Sequence, residues 1–276
     1  MKNLFTVKKK SGKKISMITC YDYTSARLLE KAGVDTVLVG DSLGMTMLGY
    51  DSTLEVTMED MIHHARAVKR GLKNVLTVVD LPFMSYQNDV AAAVNNAGRL
   101  VKEGKANIVK LEGGEEFADV IKAITRASIP VCAHIGLTPQ SINAFGGFVV
   151  QGRDIESARK IVRDALAVEK AGAVMVVLEG IPTRLAEIIT KLLKIPTIGI
   201  GAGNVTDGQV LVMQDLLGLN IDFKPKFVKH FMNGADIFVT AFKDYISEIE
   251  TLSFPGAEHE FALNDEIYQT LKKEYL

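Results

Sequence analysis

Short aliphatic runs alternate with longer segments of mixed apolar and charged residues along most of this chain. The runs fall at 16–20, 36–41, 75–80, 107–112, 130–134, 173–179, 197–201 and 210–213, and their Val- and Ile-rich composition predicts eight buried parallel strands. Between most of them lie stretches with apolar positions at helical spacing, at 24–31, 57–70, 90–103, 115–127, 155–171 and 183–193. Punctuation agrees. Thr57 with Asp60 resembles a capping box, Gly33, Gly71, Gly104 and Gly172 sit where helices should stop, and Pro130 and Pro196 open strands.

Eight alternating units predict a closed (β/α)8 TIM barrel of the α/β class. Candidate active groups arise from nearly every strand, whereas an open doubly wound sheet concentrates its site at one switch point. The length of 276 residues suits a single barrel domain spanning 1–276, with no linker and no internal repeat beyond the alternation itself. Residues 220–276 exceed what a last helix needs; they read as a helical C-terminal extension, with helices near 236–249 and 261–275, that caps the barrel or packs on another subunit. The segment 42–53, with two glycines, reads as a long loop able to fold over the site and exclude water.

A net charge of -1 removes the electrostatic case for gripping nucleic acid or an anionic membrane, so the expected partner is a small molecule. Residues 1–14 are basic, yet no apolar leader core follows them and no run approaches the ~20 residues needed to cross a bilayer. Cys20 and Cys132 lie in apolar runs without zinc-ligand spacing, and a reducing cytoplasm is the expected location.

Four acidic residues, Asp41, Asp80, Glu112 and Glu179, each close an aliphatic run. Parallel strands place their carboxyl ends on one rim, so these carboxylates should converge, and they repel one another unless a cation neutralises them or some stay protonated. That predicts a metal site with acid–base chemistry. Asp41, Asp80 and Glu112 offer only oxygen donors, which favours Mg²⁺ or Mn²⁺ over zinc. Strand alternation puts Lys110 on the face of Glu112, where it serves either as a fixed cation for a substrate carboxylate or as a structural ion pair. Glu179 has no polar neighbour before Gly180-Ile181-Pro182, and this apolar setting makes it the candidate proton acceptor. A metal opposite such a base suits proton abstraction beside a carbonyl. His134 shares a face with Cys132 and reads first as a core histidine, although its place near the rim keeps it eligible for the site. Gly199-Ile200-Gly201-Ala202-Gly203-Asn204 fits a tight turn and a ligand contact equally well.

Taken together, Thr19-Cys20-Tyr21-Asp22, Leu38-Val39-Gly40-Asp41-Ser42-Leu43-Gly44-Met45, Asp80-Leu81-Pro82-Phe83-Met84, Val109-Lys110-Leu111-Glu112-Gly113-Gly114, His134-Ile135-Gly136-Leu137-Thr138-Pro139-Gln140 and Ile198-Gly199-Ile200-Gly201-Ala202-Gly203 closely resemble the ketopantoate hydroxymethyltransferase family, over roughly residues 3–261. The resemblance implies a cytoplasmic homodecamer of (β/α)8 barrels in pantothenate biosynthesis. Its activity would be transfer of a one-carbon unit from 5,10-methylenetetrahydrofolate to 3-methyl-2-oxobutanoate, through a Mg²⁺-stabilised enolate, giving 2-dehydropantoate. By matching motif, Asp41, Asp80 and Glu112 look like the Mg²⁺ set (one ion per subunit), Asp41, Ser42, Asp80 and Lys110 look like the keto-acid site, and Glu179 looks like the catalytic base. Two residues depart from the family pattern: Val149 stands where lysine is usual and Gln214 where histidine is usual. An alternative is a Mg²⁺-dependent lyase or mutase of the phosphoenolpyruvate and isocitrate barrel group. Those enzymes commonly carry a Lys-Lys-Cys-Gly-His type segment, and neither Cys20 nor Cys132 lies in one. A catalytically silent scaffold barrel should have lost part of the acidic set, which is complete here.

Overall fold

The computed structural model describes residues 2–221 and 224–276, with side chains from residue 5 onward; residues 222 and 223 of the expected extension lie outside the described residues. In chain order the elements are α1 (Lys2–Lys10), β1 (Ile15–Thr19), α2 (Tyr23–Ala32), β2 (Thr36–Val39), α3 (Leu43–Met47), α4 (Met58–Gly71), β3 (Leu76–Asp80), α5 (Val90–Lys102), β4 (Ile108–Glu112), α6 (Ala118–Arg126), β5 (Val131–Gly136), α7 (Ile142–Phe145), α8 (Ile155–Ala171), β6 (Met175–Glu179), α9 (Thr183–Leu192), β7 (Thr197–Ile200), β8 (Gly208–Leu211), α10 (Met213–Leu217), α11 (Gly234–Glu250) and α12 (Asp265–Tyr275). The strands close into one parallel barrel in sequence order, β1 pairing with β8.

Local chemistry explains these boundaries. Thr57 and Asp60 form the expected capping box at the start of α4. Gly33 and Gly172 end α2 and α8 in left-handed conformations (φ 76° and 108°) that residues with a Cβ rarely adopt. Strand alternation sorts the side chains into two buried clusters. Ile15, Met17, Leu38, Val78, Ile108, Cys132, Met175, Val177, Ile198 and Val210 fill the barrel interior, while Val37, Val79, Val109, Leu111, Ala133, Val176 and Leu178 pack outward against the helices.

The structure adds to the sequence reading in one place and corrects it in two. The basic N-terminal segment forms a helix, α1, whose Phe5 joins the interior cluster, while Lys8 pairs with Asp35 and Lys9 reaches Asp207 at 2.7 Å. The last strand runs Gly208–Leu211 rather than 210–213, because a Cβ at Gly208 would stand 2.5 Å from the Ile15 carbonyl oxygen and only glycine lets β8 close on β1. Within the expected loop 42–53, residues 43–47 form α3, and only the irregular stretch 48–52 leads on to a 3₁₀ turn at Thr53–Glu55.

Beyond β8, residues 236–250 of α11 are exposed throughout, including an apolar stripe of Phe238, Phe242, Tyr245, Ile246 and Ile249. Among the described residues, no helix is long and apolar enough to cross a membrane.

Candidate active site

Interior parity decides which acidic residues meet. Asp80 follows Val78, Lys110 and Glu112 follow Ile108, His134 follows Cys132, and Glu179 follows Met175 and Val177, so all five side chains belong to the interior face at the carboxyl ends of β3 to β6. Register sets them side by side, Asp80 opposite Lys110 and Glu112 opposite His134. Asp41 arrives differently. It lies beyond β2, where the chain turns into α3 through a Gly44 N–H to Asp41 carbonyl bond of 2.9 Å.

The groups form a continuous ribbon around the rim. The Asp41 N–H donates to Asp80 Oδ2 at 3.1 Å, and Lys110 Nζ stands 2.8 Å from Asp80 Oδ2 and 3.9 Å from Glu112 Oε1. His134 Nδ1 lies 3.1 Å from Glu112 Oε1, and its Nε2 lies 3.2 Å from Glu179 Oε2, a close contact whose direction falls outside hydrogen-bond geometry. Asp41, Asp80, Lys110, Glu112 and His134 are all buried. The Glu179 side chain keeps 15% of its surface, and its neighbour His134 corrects the expectation that it has no polar partner. Ser42 Oγ shares a 2.8 Å hydrogen bond with Tyr21 Oη. A Cβ at Gly40 would meet both Ser42 Oγ and Asp80 Oδ2, so the absent side chain lets these groups approach one another.

Burial, followed by repulsion from Asp80 and Glu112, raises the Asp41 carboxyl well above its usual range. Burial also raises Asp80, against the pull of Lys110. For Glu112, burial is outweighed by His134, Lys110 and the Gln140 N–H, which together hold its carboxyl below the usual value. Burial opposes the Lys110 charge, but Asp80, Glu112 and Asp41 more than restore it and raise the ammonium above its ordinary value. The same contest at His134 ends with the imidazole pushed up to about 9, burial lowering it and Glu112 raising it more. A group raised in the folded state contributes stability that is fully present below its unfolded value, near 6.5, and is lost as pH rises through about 9. The melting-temperature gap between the parent and His134→Gln should therefore shrink from pH 6 to pH 10, and a gap that widens over that range would count against an imidazolium here.

Sequence reasoning assigned no role to two residues of this region, Gln140, which closes one of the motifs that carry the family resemblance, and Tyr86. Gln140 donates from Nε2 to Asp41 Oδ2 at 2.8 Å and from its backbone N–H to Glu112 Oε2 at 2.9 Å, and Tyr86 Oη lies 2.8 Å from Gln140 Oε1. The glycine-rich turn after β7 is occupied by the chain itself: a Cβ at Gly203 would stand 2.4 Å from Thr183 Cγ2. Gln214 donates to Met47 Sδ at 3.3 Å and so touches α3, whereas Val149 is exposed in the loop after α7.

Among the described residues, no three His, Cys, Asp or Glu side chains form a ready-made metal cage. Asp80 Oδ1 is nevertheless buried without a hydrogen-bond partner among them, an acceptor lacking a positive group. If all six ionise, the carboxylates of Asp41, Asp80, Glu112 and Glu179 face only two cations, Lys110 and His134, leaving two negative charges in excess. Mg²⁺ matches both features, since it is a hard dication that binds carboxylate oxygens and fills its remaining positions with water or substrate oxygens.

Solved structures with the same architecture include phosphonopyruvate hydrolase in complex with oxalate and Mg²⁺ (TM-score 0.62, 14% identity, 99% of this chain and 95% of that one) and 2,3-dimethylmalate lyase (TM-score 0.59, 15% identity, 99% and 98%). At such identity the likeness is one of fold. Sequence relatives are far nearer. The 3-methyl-2-oxobutanoate hydroxymethyltransferase of Enterococcus faecalis is 58% identical over 274 residues, covering 98% of this chain and 100% of the relative, and that of Clostridium novyi is 56% identical with the same coverage. The family model for ketopantoate hydroxymethyltransferase matches residues 2–257, and this chain belongs to that family of enzymes.

Proposed function

We propose that this chain catalyses the reaction of 3-methyl-2-oxobutanoate with 5,10-methylenetetrahydrofolate and water to give 2-dehydropantoate and tetrahydrofolate, with Mg²⁺ as its metal. The observation that carries the reading is the ribbon from Asp41 to Glu179, in which a carboxylate-rich half and a lone carboxylate flank His134. Asp41, Asp80 and Glu112 are the residues that would hold Mg²⁺; when bound, the ion would act as a Lewis acid on the 2-oxo acid and spread the charge that develops on its keto oxygen. Lys110 supplies a fixed cation for the substrate carboxylate, and Ser42, oriented by Tyr21, supplies a hydroxyl beside Asp41 and Asp80. Glu179 removes the proton from C3, and the resulting enolate carbon forms a new C–C bond to the folate methylene; both methylene C–N bonds to the folate break, water furnishes the hydroxyl group, and its second proton with the one taken from C3 ends on the two released nitrogens of tetrahydrofolate.

The buried, unbridged Cys20 and Cys132 suit a reducing cytoplasm. The apolar stripe of α11, uncovered in a single chain, supports self-assembly of the kind the family resemblance implies. Light scattering should return a mass matching a homodecamer; a single-chain mass contradicts assembly. The activity itself is tested by mixing the protein with Mg²⁺, the keto acid and methylenetetrahydrofolate and following 2-dehydropantoate. Product is expected only with metal present, and a metal-stripped protein of undiminished rate contradicts the Mg²⁺ assignment.

A further inference from the structure

Gln140 lies in the turn after β5, 5% exposed, and its carboxamide makes four hydrogen bonds. Oε1 accepts from Tyr86 Oη at 2.8 Å and from Gln87 Nε2 at 3.0 Å, while Nε2 donates to Asp41 Oδ2 at 2.8 Å and to the Leu81 carbonyl at 3.0 Å. Donors crowd one end of the amide and acceptors the other, so its orientation follows from its neighbours. Tyr86 is constrained in turn. Its oxygen accepts the Glu112 N–H at 3.0 Å, and its single proton goes to Gln140 Oε1, which is nearer than the Glu112 carbonyl at 3.0 Å. The turn itself is anchored by the Leu137 N–H on the Glu179 carbonyl at 2.9 Å and by the Gln140 N–H on Glu112 Oε2 at 2.9 Å.

One residue thus grips the side chains of both Asp41 and Glu112, which come from different strand ends. We propose that Gln140, backed by Tyr86, is the positioning residue of the cation site: it holds the Asp41 and Glu112 carboxylates at a set separation and directs their remaining lone pairs toward a divalent cation. This rests on the Mg²⁺ reading above. A neutral amide is the suitable group for the task. A carboxylate at 140 would add another negative charge against Asp41, an apolar residue would leave Asp41 Oδ2 and the Leu81 carbonyl without this donor, and Asn would be one methylene too short to reach from the same backbone.

The test compares the full-length parent with Gln140→Met, which keeps the volume and deletes the donor, with Gln140→Asn, and with Tyr86→Phe, which removes only the hydroxyl. Mg²⁺ alone is titrated by calorimetry without substrates, and melting temperature, kcat and the keto-acid KM are measured beside it. Both Gln140 variants should bind Mg²⁺ roughly 10- to 100-fold more weakly, the range typical of groups that orient metal ligands, with activity returning as Mg²⁺ is raised. Tyr86→Phe should shift the same way by less, and it carries the test if a Gln140 variant does not fold. Lower melting temperature with parental Mg²⁺ affinity in the folded variants would reduce Gln140 to a packing role and overturn the proposal, leaving the Mg²⁺ reading intact. A parent that binds no Mg²⁺ would overturn both.

Discussion

Glu179→Gln is expected to lower kcat roughly 10²- to 10⁴-fold, the range for removing a positioned general base. The substitution keeps the shape of the side chain and removes only its ability to take a proton. Because Glu179 is partly open to solvent and its near neighbour is the poorly aligned His134 Nε2, the fold should tolerate the change, with circular dichroism and melting close to the parent. KM for the keto acid should move little, since the binding groups stand on the opposite side of His134. Unchanged turnover would remove Glu179 from its role.

Asp80→Ala combines two losses. Lys110 keeps its charge in a buried setting while its 2.8 Å partner disappears, leaving Glu112 at 3.9 Å as its nearest ion-pair partner. Removing one partner of a buried pair costs about 3–5 kcal/mol, and the remaining carboxylates around Lys110 place this case near the lower end. The second loss is chemical, for the unpartnered Asp80 Oδ1 goes as well. Mg²⁺ affinity should fall by more than the roughly 10- to 100-fold seen when only an orienting group is removed, and keto-acid binding should weaken with it. A Mg²⁺ titration superimposable on the parent's would contradict the assignment of Asp80 to the cation site.

Much of this architecture was legible because strand and helix periods differ and each run ended on a signal. The aliphatic runs marked seven of the eight strands closely, while β8 was displaced because Gly208-Gln209 lacks the β-branched residues that reveal a strand and is held in place by contact with Ile15. The helix α1 was hidden for the opposite reason. The sequence reading noted only that its segment is basic, and the tertiary contact of Phe5 with the interior cluster and the ion pairs to Asp35 and Asp207 explain its place. In the site, Asp80, Lys110, Glu112 and Glu179 could be placed together from strand parity. Gln140 could not: its bond to Asp41 spans 99 residues and its bond to Tyr86 spans 54, and nothing in the local pattern of Thr138-Pro139-Gln140 announces either. His134 looked like a core residue and is one, buried as expected, yet the same burial puts it between Glu112 and Glu179.

Proton exchange at C3 of 3-methyl-2-oxobutanoate in deuterated water, followed by NMR with Mg²⁺ and without folate, isolates the step on which the proposed chemistry depends. Deuterium should enter C3 in the presence of the parent protein and Mg²⁺, and should enter far more slowly with Glu179→Gln. Product formation by a protein that never exchanges this proton in the absence of folate, or exchange that proceeds equally well with Glu179→Gln, would contradict an enolate made by Glu179 beside the carboxylate-lined rim.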